Sequence, residues 1–99
     1  MNIITEKTED GIKLNIEGRV DTVTSPTLQE AILNAFQKTG NLVLDLEKVD
    51  YVSSAGLRAL LIGEKTAKGK KGSMKIIHVQ ESVQAVFLMT GFSKILQIE

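Results

Sequence analysis

The sequence contains no cysteine, which excludes disulfides, thiolate metal sites and a cysteine nucleophile and fits a reducing, cytoplasmic setting. Histidine occurs once, at His78, and there is no GxSxG elbow, so no base is in evidence to activate a serine and an enzymatic reading has little to stand on. An excess charge of either sign is missing too. Twelve basic residues balance twelve acidic ones, so no global field gathers nucleic acid. No apolar run is long enough to span a bilayer, and the opening MNIITEKTEDG carries acidic residues where a signal peptide has its apolar core. The chain reads as soluble and unprocessed, with no membrane association. Asp45, Glu47 and Asp50 lie along a strand and its exit, without a spacing that aims them at one ion. They read as solvated carboxylates or local hydrogen-bond acceptors, with no metal. Gly69 and Gly72 follow a helix and so lack the strand-to-helix position of a phosphate cradle.

What is present is enough apolar material, 42% of 99 residues, for one domain around one core. Ile12, Leu14 and Ile16 alternate with Lys13, Asn15 and Glu17, the period-2 pattern of a strand with one wet face. A strand over residues 2–7 pairs with it through a turn at Glu9, Asp10 and Gly11. Ser25 and Pro26 read as N-cap and first residue of a helix carrying Leu28, Ala31, Ile32, Ala35 and Phe36 at helical spacing and stopping at Gly40. Residues 42–46 suit a central strand covered on both faces for most of its length. A second helix places Leu57, Leu60, Leu61 and Ala67 on one face. Residues 74–79 form a third apolar strand, 82–90 a third helix in which Leu88 and Met89 serve as core or rim packing, and 95–98 a closing edge strand. The expected order is ββαβαβαβ: an α/β domain over residues 1–99 with one mostly parallel sheet of about five strands, an N-terminal antiparallel hairpin and helices mainly on one face. Right-handed crossovers put them on the same side.

In such a sheet the functional crevice lies beyond the carboxyl ends of the strands. Three loops qualify, at residues 19–26, 50–56 and 80–82. The middle one, YVSSAGLR, sets two serines and a glycine at a helix start. One serine is accounted for as an N-cap, contributing about 1 kcal/mol. The second, followed by small Ala55 and Gly56, leaves a hydroxyl where another protein can reach it. The basic residues from Lys65 to Lys71 read as a solvated helix end, with a phosphate or anionic-lipid site as the alternative.

The GRVD stretch at 18–21, LVLDLEKVDYV at 42–52 and SSAGLRALL at 53–61 together resemble the STAS domains, and within them the stand-alone bacterial anti-sigma-factor antagonists. The resemblance covers essentially the whole chain. Aligning on Gly56 and Leu57 makes Ser54 the phosphate acceptor, with Ser53 a minor alternative. This sequence departs from the family pattern by Ser53 where an acid usually stands and Ala55 where a second hydroxyl does. The resemblance implies a partner switch without catalysis by this chain. The unphosphorylated form binds an anti-sigma factor that is also a serine kinase, sigma factor is released, ATP-dependent phosphorylation ends the complex, and a metal-dependent serine phosphatase reverses it. The nucleotide belongs to the kinase, so no cofactor is expected. Asp21 matches an acid of the loop beside Ser54, either as a turn residue or as one that positions the hydroxyl or meets the kinase. Thr22, Ser53, Ala55, Gly56, Arg58 and Ala59 complete the expected partner surface. Arg58, four residues after Ser54, is either solvated or reaches back to a phosphate. Ala59 and Gly63 leave one helix flank nearly bare for close approach. A monomer or weak dimer is expected. The alternative is a STAS scaffold or small-ligand module in which both serines merely cap.

Overall fold

The computed structural model describes residues 1–99. The elements are β1 (Asn2–Lys7), β2 (Ile12–Glu17), α1 (Ser25–Phe36), β3 (Asn41–Lys48), α2 (Ser54–Gly69), β4 (Ser73–Ile77), α3 (Glu81–Thr90), a 3-10 turn (Phe92–Lys94) and β5 (Gln97–Ile98). This is the expected ββαβαβαβ order. The five strands pair in sequence order, β1-β2-β3-β4-β5, antiparallel between β1 and β2 and parallel thereafter. Each crossover therefore advances one strand in the same direction. With right-handed connections this stacks the three helices on one face.

The core forms where the helices meet that face. Ile12, Leu14 and Ile16 of β2, Leu42, Leu44 and Leu46 of β3, and Met74 and Ile76 of β4 are buried against Leu28, Ile32 and Phe36 of α1, Leu57 and Leu60 of α2, and Val83 and Phe87 of α3. The opposite face carries no helix. There Lys13, Val43 and Lys75 are only half-buried, which corrects the reading of β3 as covered on both sides: its apolar run owes its burial to one face. Glu64 of α2 is buried as well, and its Oε1 has no hydrogen-bond partner, while Oε2 lies 3.9 Å from Lys68 Nζ. An unpaired buried oxygen of this kind costs about 1–3 kcal/mol.

Several other expectations are revised. The N-cap position of α1 falls on Thr24, which makes no side-chain cap, with Ser25 already helical and Pro26 following it in the first turn, as the Asp21 side chain organises the chain one turn earlier. The strand expected over 74–79 ends at Ile77, since His78 turns into the left-handed region at φ 56°. The closing strand shrinks to two residues because the chain first makes the 3-10 turn. Leu88 and Met89 are 63% and 86% exposed and are not core: α3 buries only the stripe of Val83 and Phe87 before Gly91, at φ 81°, ends it. Within the basic stretch, Lys70 Nζ donates to the Phe36 carbonyl at the end of α1 and Lys68 pairs with Glu64. No helix is long and apolar enough to cross a membrane.

Candidate functional site at the carboxyl ends of β2 and β3

The parallel pairing of β2 and β3 continues past both strand ends through an isolated bridge between Val20 and Val52. Val20 N donates to Tyr51 O at 2.9 Å and Ser53 N donates to Val20 O at 2.8 Å, so the two loops are zipped together just before each gives way to a helix. Both valines are buried. Gly56 permits this closeness, because a Cβ there would stand 2.7 Å from Val20 Cγ1 and 2.9 Å from Val52 Cγ1.

Beyond the bridge each loop is fixed by its own side chains. Asp21 Oδ1 accepts from the backbone N–H groups of Val23 and Thr24, each at 3.0 Å, and lies 3.1 Å from Thr24 Oγ1, whose proton it shares with Arg19 O at 2.7 Å. Thr24 Oγ1 in turn accepts from Asp21 N at 2.9 Å. This is the turn-residue role weighed for Asp21. Arg19 lies over the Tyr51 ring, 4.2 Å from its centroid, and its Nε is 3.9 Å from Asp21 Oδ2. A cation over an aromatic face thus links the two loops on their solvent side.

At the start of α2 the two serines divide the work. Ser53 is the N-cap, in extended conformation, and its Oγ accepts from Gly56 N at 3.3 Å. Ser54 is the first helical residue and is exposed, leaving its hydroxyl outside the capping interaction and at the positive end of the helix dipole. Of the other residues expected at a partner surface, Thr22 and Arg58 are exposed, Asp21, Ser53 and Ala55 are half-buried, and Gly56 and Ala59 are buried. Ala59 is 1% exposed, and a Cβ on Gly63 would meet Met74 Sδ at 2.7 Å and Ile32 Cγ2 at 3.0 Å. That flank of α2 is bare because the sheet and α1 lie against it, which corrects the expectation that a partner approaches there. The open surface beside Ser54 is instead a shallow groove of about 540 Å³ between the outer sides of α1 and α2, with Ser25, Gln29, Leu33, Ala55 and Arg58 among its walls.

The sequence reading passed over two apolar side chains at this end of the sheet. Val23, 84% exposed, stands on the turn that Asp21 holds. Tyr51, 41% exposed, stands two residues before Ser53. The structure also gives His78 an acid partner, its Nδ1 lying 3.0 Å from Asp45 Oδ2. The signal was present in the strand register: Asp45 pairs with Ile77, so the residue after Ile77 emerges next to that carboxylate.

The carboxyl of Asp21 sits below the usual range, chiefly because the Thr24 amide donates to it, with the Thr24 hydroxyl, the Val23 amide and Arg19 adding to that against partial desolvation. For Asp45 burial is the largest single influence and opposes ionisation, but the Glu47 amide, His78 and Lys13 together outweigh it and the carboxyl is lowered. A depressed folded-state value means stability that is present above the unfolded value, near 3.9, and is lost as pH falls through the folded value. Acid unfolding monitored by circular dichroism is therefore expected to begin below about pH 4, and Asp21→Asn and Asp45→Asn are each expected to flatten that limb. An unchanged slope in both would contradict the assignment.

Comparison with known proteins agrees with this architecture. The family model for the STAS domain matches residues 2–99. The chain belongs to the STAS domain family. It is 30% identical over 104 residues to an anti-sigma-B factor antagonist of Listeria monocytogenes, covering 100% of this chain and 90% of that protein. It is 29% identical over 98 residues to the anti-sigma-B factor antagonist of Bacillus subtilis, covering 99% and 90%. Among solved structures, the anti-sigma factor antagonist SpoIIAA in its unphosphorylated form superimposes with a TM-score of 0.82 at 16% identity, over 99% of this chain and 88% of that one. That likeness shows the shared STAS fold.

Proposed function

We propose that this STAS domain is an anti-sigma-factor antagonist in a partner-switching pathway, with Ser54 as the switch. Its unphosphorylated form binds an anti-sigma factor that is also a serine kinase, and sigma factor is released. The observation that carries the reading is the division of labour at the start of α2: Ser53 satisfies the helix, so the exposed Ser54 hydroxyl is free to react. Whole-length similarity to two anti-sigma-B factor antagonists supports it. In the kinase's active site the Ser54 oxygen attacks the γ-phosphorus of ATP, the bond to ADP breaks, and the hydroxyl proton leaves to a base on the kinase.

The product carries about −1.5 to −2 charges at neutral pH. On the free domain the dianion faces water and the positive end of α2, so the fold tolerates it. In a complex a partner must desolvate the same group or supply a counter-charge for it, and Asp21, held ionised on the adjoining loop, adds a like charge on that side. Binding is lost while the fold stays. A metal-dependent serine phosphatase restores the binding form.

The test is capture from native lysate by unmodified and Ser54-phosphorylated protein in parallel, read by mass spectrometry. Retention of a kinase-fold anti-sigma factor by the unmodified form alone is the expected result. Identical retention by both forms would reduce Ser54 to a helix residue and leave a scaffold or small-ligand role in its place.

A further inference from the structure

Three contacts run side by side from the end of β3 and its exit to the segment that follows β4, each joining residues 32 or 33 apart in sequence. His78 Nδ1 lies 3.0 Å from Asp45 Oδ2, Gln80 Nε2 donates to Glu47 O at 2.6 Å, and Ser82 Oγ donates to Asp50 O at 3.1 Å. The last rung is one residue from Tyr51, whose carbonyl closes the bridge to Val20, and Ser53 on the far side of that bridge caps the helix that begins with Ser54. At the first rung, His78 holds φ 56°, a left-handed conformation unfavourable for a non-glycine residue. It persists only where the surroundings over-determine it, and the contact with Asp45 is such a restraint.

We propose that the His78–Asp45 pair is a pH-sensitive latch whose state is transmitted along this ladder to residues 50–54 and so to the setting of Ser54. The His78 side chain is 57% exposed while that of Asp45 is 10% exposed, so protons reach the ring from solvent and the charge change is felt at a nearly dry carboxylate. Asp45 Oδ2 is also 3.5 Å from Lys13 Nζ on β2. With the ring neutral, Lys13 is the cation on that oxygen. With the ring protonated, two cations share it and the His78 contact becomes an ion pair as well as a hydrogen bond. The other charged residues on the segments that carry the pair are Glu47 on β3, Lys75 on β4, itself 3.5 Å from Glu99, and Glu81 at the start of α3. The significance for signalling rests on Ser54 being the phosphate acceptor, but the coupling itself does not.

The experiment is a pH titration of the unphosphorylated protein by two-dimensional amide and ring-proton NMR. The amide signals of Asp50, Tyr51 and Ser54 are expected to shift with the midpoint of the His78 ring, and His78→Gln is expected to abolish that transition. The double variant Gln80→Ala, Ser82→Ala is expected to leave the ring titrating while the loop amides lose their response, a separation that a purely structural role of these side chains does not produce. Loop amides that stay flat while the ring titrates, or a loop midpoint that survives His78→Gln, would overturn the latch. Phosphorylation at another residue would leave this titration intact, so the latch and the Ser54 assignment fail separately.

Discussion

Gly56→Ala is expected to destabilise the domain by about 1–2 kcal/mol, although alanine is the better helix former and Gly56 sits inside α2. The added methyl would meet Val20 Cγ1 at 2.7 Å, Val52 Cγ1 at 2.9 Å and Val20 O at 3.1 Å. Overpacking of this kind costs typically 1–3 kcal/mol, against a propensity gain of at most about 1 kcal/mol. Relief by movement is closed off, because Val20 is 1% exposed and its backbone makes both hydrogen bonds of the bridge to Tyr51 and Ser53. Shifting it separates the two loops that frame Ser54. Gly69 is the control. Nothing lies within 4 Å of a Cβ there, so Gly69→Ala is expected to stabilise by a few tenths of a kcal/mol. Urea unfolding of both variants decides the matter. An unchanged or raised midpoint for Gly56→Ala would mean that the bridge yields and that Gly56 is not what holds the loops close.

The contrast between those glycines shows which parts of the molecule are legible in the residues. Elements with strong periodicity came through: β2 from its alternation, α1 and α2 from their apolar stripes, and the hairpin from its turn at Glu9, Asp10 and Gly11. The direction of winding followed from connection handedness alone. Failures concentrate where burial depends on something outside the segment. The run Leu42–Leu46 has the composition of a strand dry on both faces, yet one face stays open, and Asp45 is buried there by His78 and Lys13 rather than by apolar cover. Leu88 and Met89 have core composition, but they lie off the stripe that α3 turns to the sheet.

At the site, the pairing of the Asp21 and Ser54 loops was readable because neighbouring parallel strands deliver their loops to one end of the sheet. What individual side chains do there was less so. Small residues at Ala59 and Gly63 suggested an open flank, but a missing side chain signals close approach without saying by what: at Gly63 the neighbours are the sheet and α1, as at Gly56 they are the bridge. Arg19 over Tyr51 and His78 on Asp45 each join residues more than thirty positions apart. Neither leaves a local pattern, and only the strand register brings them together.

Ser54→Ala is expected to abolish phosphate uptake from the cognate kinase completely while leaving unfolding free energy within about 0.5 kcal/mol of the parent. Ser53→Ala is expected to do the reverse. The two serines are adjacent in sequence and differ in what the backbone asks of them. Ser53 sits outside the helix at ψ 176°, where its Oγ can accept from Gly56 N, and removing such a cap costs about 1 kcal/mol. Its hydroxyl is half-buried and already engaged. Ser54 is one residue into the helix, with its side chain on the exposed side, and alanine there has slightly better helix propensity. A kinase must bring the γ-phosphate in line with a serine oxygen, and at Ser53 it would first have to remove the cap. Phosphoprotein mass spectrometry with urea unfolding on both variants separates the roles. Phosphate retained by Ser54→Ala and lost from Ser53→Ala would exchange the assignments and put the switch on the capping residue, so that phosphorylation would perturb the start of α2 as well as the surface a partner meets.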